Sequence, residues 1–165
     1  MLKIENVEVF GWDAAIRSMR KPMNSREKSD SKACHILNKI TDENRKYRCA
    51  GCKNENMRGN GTCYIIGPND LALMKKLVAA GTDHSKFMQM ITVYLDITAP
   101  LYWWKEVDAY WRRRPDISKR TVMLNYEVLA NMYKSRRNHK LDEWHTFCDW
   151  IERLPYSELI TGKEN

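Results

Sequence analysis

Met88-Gln89-Met90-Ile91-Thr92-Val93-Tyr94-Leu95-Asp96-Ile97-Thr98 is a β-branched run in which Met90, Ile91, Val93, Leu95 and Ile97 are apolar. It reads as a buried strand. Helix is the alternative, because so short an apolar run does not settle its own period. A second strand is expected at residues 2–10, where Leu2, Ile4, Val7 and Val9 alternate with polar side chains apart from one slip near Asn6. Gly11 ends it. These two strands supply the small sheet of an α+β fold, and the remaining periodic segments supply helices to cover it.

Working outward, Trp12 to Arg20 carries Trp12, Ala15, Ile16 and Met19 at helical spacing, and Pro22 stops the helix. Asn24 to Lys32 is a polar link. Pro68 and Asp70 suit a helix start, Leu71, Met74, Leu77 and Val78 continue it, and Gly81 is placed to end it. Thr82 to Lys86 opens a second short helical turn. Pro100 to Trp111, rich in aromatics, favours a helix interrupted near Arg112-Arg113-Arg114-Pro115. Ser118 is expected to cap a long helix through Val122, Leu124, Val128, Leu129, Met132 and Tyr133. That helix would run into Lys134-Ser135-Arg136-Arg137, where cations complement its dipole. Leu141 to Leu154 places Trp144, Phe147, Cys148 and Ile151 on one stripe before Pro155, and Cys148 there reads as a buried small hydrophobe.

Four of the five cysteines fall between residues 34 and 63, in the order Cys34, fourteen residues, Cys49, two residues, Cys52, ten residues, Cys63. Four thiolates so spaced can close a tetrahedron about zinc, and a site with four protein ligands is structural because no position is left for substrate. Residues 53–62 hold hardly any apolar side chain, so a cross-link is needed to order them. Free or redox thiols and disulfides are the alternatives. The opening Met1-Leu-Lys-Ile lacks a charged leader followed by an apolar run, which sets the expectation of a cytoplasmic chain with unoxidised thiols. His35 is a possible substitute for Cys34. The expected organisation is one domain over residues 1–165, with a zinc-held insertion at 34–63.

Lysine and arginine number 28 against 21 acidic residues, a net charge of +7. Such a balance favours an acidic partner or nucleic acid, although charge runs at helix ends are also ordinary solvated caps. Six Trp and nine Met are many for this length, and any exposed group of them would mark a partner surface. Gly59-Asn-Gly61 precedes no strand-to-helix phosphate turn, which excludes a P-loop. His84 with Asp83 and His145 with Glu143 are the neighbours available for acid–base work, but such isolated pairs more often serve as surface or capping groups.

Leu77-Val-Ala-Ala-Gly-Thr-Asp-His84-Ser85, the strand after it, and Leu124-Asn125-Tyr126-Glu127-Val128-Leu129 followed by Arg136 and Leu141-Asp142-Glu143-Trp144 resemble flavin-dependent thymidylate synthase over roughly residues 70–150. In that family a helix precedes a His-x-Ser turn and a strand, and late helices follow. The resemblance implies flavin and nucleotide chemistry with His84, Asn125 and Arg136 as ligands. The family's Arg-His-Arg signature with its following Ser has no counterpart in Ile97 to Pro115, and only Asp116 to Ser118 separate Pro115 from the last helical region. Glu127 stands where the family carries a positive side chain, which would repel phosphate. The chain is therefore read as a reduced relative, of the kind found in phages, that kept the scaffold and lost the chemistry; no flavin is expected.

The expected function is a non-enzymatic, zinc-stabilised binding protein. In general make-up the chain is similar to zinc-holding phage anti-CRISPR proteins, which implies an inhibitor of a bacterial defence nuclease of type II. The partner would be that effector or its nucleic-acid complex, met in the bacterial host cell. Structural zinc falls to Cys34, Cys49, Cys52 and Cys63. The expected partner surface is Arg45, Lys46, Arg48, Lys53, Arg58, Trp103, Trp104, Trp111, Arg112, Arg113, Arg114, Arg136 and Arg137, a basic set with aromatics interleaved. A flavin-dependent thymidylate synthase-like enzyme and a basic nucleic-acid-binding protein are the alternatives.

Overall fold

The computed structural model describes residues 1–33, 64–107 and 118–163. Strand β1 (Lys3–Phe10) runs through Gly11 into helix α1 (Trp12–Arg20). Pro22 converts the chain into a 3-10 turn at Lys21–Met23 instead of a further helical turn. A short strand β2 (Lys32–Ala33) pairs with β3 (Tyr64–Ile65), and helix α2 (Pro68–Ala79) follows. Then come a 3-10 helix (Lys86–Met90), β4 (Thr92–Thr98), α3 (Leu101–Val107), β5 (Lys119–Asn125) and α4 (Tyr126–Lys134). Helices α5 (Asp142–Ile151) and α6 (Glu158–Thr161) complete the described chain.

The main sheet is antiparallel, in the order β1-β4-β5. Its inward rows are Val9–Val93–Leu124 and Leu95–Val122, with Ile97 beside Ile4 and Arg120. Val93, Leu95 and Ile97 are fully buried, whereas Tyr94 and Met123 on the opposite face are exposed, the alternation that a one-sided antiparallel sheet requires. The slip in the apolar pattern near Asn6 is a real irregularity. The register shifts between Glu5 and Glu8, and Asn6 takes a positive φ of 51°. Asn6 Nδ2 donates to Asp96 Oδ2 (2.7 Å) and Thr121 Oγ1 donates to Asp96 Oδ1 (2.5 Å), so one carboxylate ties the bulge to the far strand.

The helices close over the inward face. Trp12, Ile16 and Met19 of α1, Met74 of α2, Trp103 and Trp104 of α3, Leu129 and Met132 of α4, and Trp144, Phe147 and Ile151 of α5 join the strands in one core cluster. The fully buried Tyr126 is a strut across it: its amide donates to Ile91 O (3.1 Å) and its hydroxyl to Pro155 O (2.5 Å). Cys148 is buried, and burial pushes its thiol up to about 11, so it packs as a small apolar side chain.

Two expectations need correction. The segment from Ser118 is a strand before it is a helix: Val122 and Leu124 face inward two residues apart, and Asn125 ends the strand by accepting from Val128 N (2.9 Å) as the cap of α4. An open edge of β4 offers a matching ladder, and that tertiary pairing overrides the helical reading. The strand expected over 88–98 starts at Thr92, because Lys86–Met90 coils into a 3-10 helix that buries Phe87 and Met88.

Gly11 joins β1 to α1 at φ 94°, and a Cβ there would lie 2.0 Å from the Met90 carbonyl oxygen. Gly11→Ala is expected to cost about 1–3 kcal/mol from backbone strain, with displacement of the Met90 carbonyl in addition. A shifted midpoint in a urea unfolding curve, with the slope unchanged, would register it.

Candidate functional site

The residues that flank segment 34–63 share a common base. Lys32 pairs with Ile65 and Ala33 with Tyr64, so the chain neighbours of Cys34 and Cys63 are cross-strand partners. Beneath this ladder Asp70, in the first turn of α2, is fully buried. Its Oδ1 accepts from Arg20 Nε at 2.6 Å, and Arg20 is itself only 5% exposed at the end of α1. Its Oδ2 accepts from Ser29 Oγ (2.7 Å), Asp30 N (3.2 Å), Ser31 N (3.1 Å) and Ser31 Oγ (2.5 Å). Burial by itself would raise the Asp70 carboxyl, but the hydrogen bonds from Ser31, Ser29 and Arg20 outweigh it and hold the group below its ordinary value.

The arrangement is reciprocal. Asp30 accepts from Asn69 N (2.8 Å) and Asp70 N (3.0 Å), satisfying amides that the start of α2 leaves open. Ser31 Oγ accepts from Gly67 N (2.9 Å). Gly67 is required for that approach, since a Cβ there would lie 2.1 Å from Asp30 Cγ. At the ladder's exit Tyr156 Oη accepts from Ile66 N at 2.9 Å, and Tyr64 Oη donates to Asp13 Oδ1 at 3.4 Å. Residues 29–33 and 64–70 are thereby fastened to α1, to α2 and to the turn before α6.

The expected zinc ligands Cys34, Cys49, Cys52 and Cys63 lie outside the described residues, as do His35, Arg45, Lys46, Arg48, Lys53, Arg58, Trp111, Arg112, Arg113 and Arg114. Among the described residues no group of three or more His, Cys, Asp or Glu side chains is placed to hold a metal. Trp103 and Trp104 are a correction. Both are fully buried, stacked edge to face at 5.0 Å, with Trp103 also against Phe147 at 5.5 Å. Trp104 Nε1 donates to Ser118 O (3.1 Å), and the Arg120 guanidinium sits 4.4 Å over its ring. They form the core beneath α3 and present no surface to a partner. Trp103→Ala should therefore lower stability by about 3–5 kcal/mol. A variant with wild-type unfolding and weakened partner binding would restore the surface assignment.

Arg136 and Arg137 lie on the 3-10 turn Ser135–Asn138. Arg137 is exposed. Arg136 is engaged, its Nη2 donating to Asp149 Oδ1 (2.7 Å) and its Nε to His145 Nδ1 (3.3 Å). His145 thus pairs with Arg136 and with His139 O (3.1 Å), while Glu143 accepts from Tyr102 Oη (2.7 Å) and the N-terminal amine (3.3 Å). Of the groups named for flavin chemistry, Asn125 caps α4 and His84 is exposed in the turn before Lys86.

A pairing that sequence spacing does not reveal joins Glu106 of α3 to His139. Their Oε2 and Nδ1 are 2.6 Å apart, and the imidazole stacks on Trp144 at 3.6 Å. A carboxylate can only accept, so Nδ1 carries the proton. The pair fixes α3 against the approach to α5. Thirty-three residues separate its members, and only the fold brings them together. Comparison with protein-family models, with curated proteins and with solved structures finds no match for this chain.

Proposed function

We propose that this chain is a non-enzymatic binding protein that presents the basic segment 34–63 from a fixed base. The observation that carries the reading is the β2–β3 ladder with the Arg20–Asp70 clasp beneath it, which brings the residues flanking the segment side by side. That closeness suits a metal taking its first and last ligands from Cys34 and Cys63 and its middle pair from Cys49 and Cys52. Zinc held there supplies a cross-link, with all four positions occupied by protein. Arg45, Lys46, Arg48, Lys53 and Arg58 would then form a charged surface whose contacts need no catalytic group.

The partner we propose is a bacterial defence nuclease of the RNA-guided type II class, or its nucleic-acid complex, with the chain acting in the host cytoplasm as a phage-type, anti-CRISPR-like inhibitor. What supports it is charge and make-up: a net +7 complements an acidic effector surface or competes for a nucleic-acid channel. The test is retention of the nuclease on the tagged chain, followed by a DNA-cleavage assay. Retention and blocked cleavage are expected, both lost when the four cysteines are changed to Ser. Uninhibited cleavage with no retention would overturn the proposal. Retention on a random duplex that falls steeply with salt, with no effect on the nuclease, would instead mark a general nucleic-acid binder.

A further inference from the structure

Beside the clasp lies an open depression of about 800 Å³ lined by Arg20, Met23, Ser25, Lys28, Asn69 and Leu73, with Glu27, Ser29 and Asp30 completing its wall. Two of its residues keep donors that no described residue takes up. Arg20 gives only Nε to Asp70, and no described residue accepts from its two terminal nitrogens. Ser25 is 9% exposed and its Oγ is buried without a hydrogen-bond partner among the described residues. Ser25 holds the cap position of the 3-10 turn Arg26–Lys28, where a serine normally spends its oxygen on the backbone, yet it makes no cap bond. A buried hydroxyl left unpaired is costly unless something from outside accepts from it.

We infer that this depression seats a phosphoryl group, with the Arg20 terminal nitrogens and Ser25 Oγ donating to its oxygens and Lys28 adding charge from the exposed side. A planar guanidinium fixed through Nε by a carboxylate is preorganised for two parallel hydrogen bonds to one oxyanion. Asp30 on the wall keeps its negative charge, although each of its oxygens already accepts from one amide, of Asn69 or of Asp70. Glu27, exposed on the wall, opposes the ligand. The volume is within the range of small-ligand sites, about 300–1,000 Å³, so the phosphoryl group can belong to a small phosphorylated molecule, with Met23 and Leu73 as apolar wall, or to a nucleic-acid backbone.

Titration calorimetry of the full chain with inorganic phosphate, adenosine monophosphate and a short DNA duplex tests this and separates the two sources. Binding of phosphate and the nucleotide is expected, weakened about tenfold or more by Ser25→Ala and tightened by Glu27→Gln. Binding of the duplex alone, with the same Ser25→Ala loss, would assign the phosphoryl group to nucleic acid. Ser25→Ala should leave the unfolding midpoint unchanged or raised, since it removes an unpaired buried hydroxyl. Absence of binding by all three probes, or binding that Ser25→Ala leaves intact, overturns the inference. Neither result bears on nuclease inhibition, which is read separately.

Discussion

Asp70→Ala is expected to lower stability by about 3–5 kcal/mol, because it strands the Arg20 guanidinium in the interior without its counter-ion. The substitution also removes the acceptor of Ser29, of Ser31 and of the Asp30 and Ser31 amides, so the loss should be concentrated at the base of segment 34–63. Chemical denaturation gives the global figure. Hydrogen exchange at residues 29–33 and 64–67 should show faster exchange than in the wild type even under conditions where the main sheet remains protected. A change below about 1 kcal/mol would mean that the clasp is not a significant source of stability.

The same carboxylate carries a pH signature. Its folded-state pKa is lowered, so its contribution is present above the unfolded value of about 3.9 and is lost as pH falls through the folded value. Asp70→Asn cannot ionise. The stability gap between wild type and Asp70→Asn should therefore be constant near neutrality and narrow below about pH 4. A gap that is flat down to pH 2 would assign the acid sensitivity elsewhere.

The second large effect is expected at the cysteines. Cys49→Ser with Cys52→Ser removes half of the proposed ligand set, and zinc-finger peptides owe about 10–16 kcal/mol of apparent binding free energy to the metal. The described residues of the main sheet and its helices form one buried core cluster. The double variant should consequently keep cooperative unfolding and the near-ultraviolet signal of its buried tryptophans, while limited proteolysis cuts within 34–63. Loss of the whole fold would contradict this division between scaffold and presented segment. Unchanged proteolysis would contradict the metal cross-link.

Much of the scaffold was legible because local signals and tertiary context agree. The alternation over residues 2–10 located β1 and even its irregular point at Asn6, and Trp12 to Arg20 carried both its apolar stripe and its stop. The strand at β5 was not legible for a definite reason. Val122 and Leu124 fit a period of two, while Leu124 with Val128 fits a helical step, and only the free edge of β4 decides between them. Trp103 and Trp104 misled in another way. Aromatics next to arginines resemble an interface, yet a three-stranded sheet needs large side chains to fill the space beneath one helix, and these two fill it. Asp70 was visible as a helix-start residue, but its partnership with Arg20, fifty residues away, has no local trace.

Elemental analysis combined with the visible spectrum of one purified sample tests most directly whether the chain is a zinc-stabilised binding protein without flavin chemistry. The expected result is a colourless protein with one zinc per chain, released in the Cys49→Ser and Cys52→Ser double variant. A yellow protein with a flavin absorption band, or a chain purified without stoichiometric zinc, would contradict it.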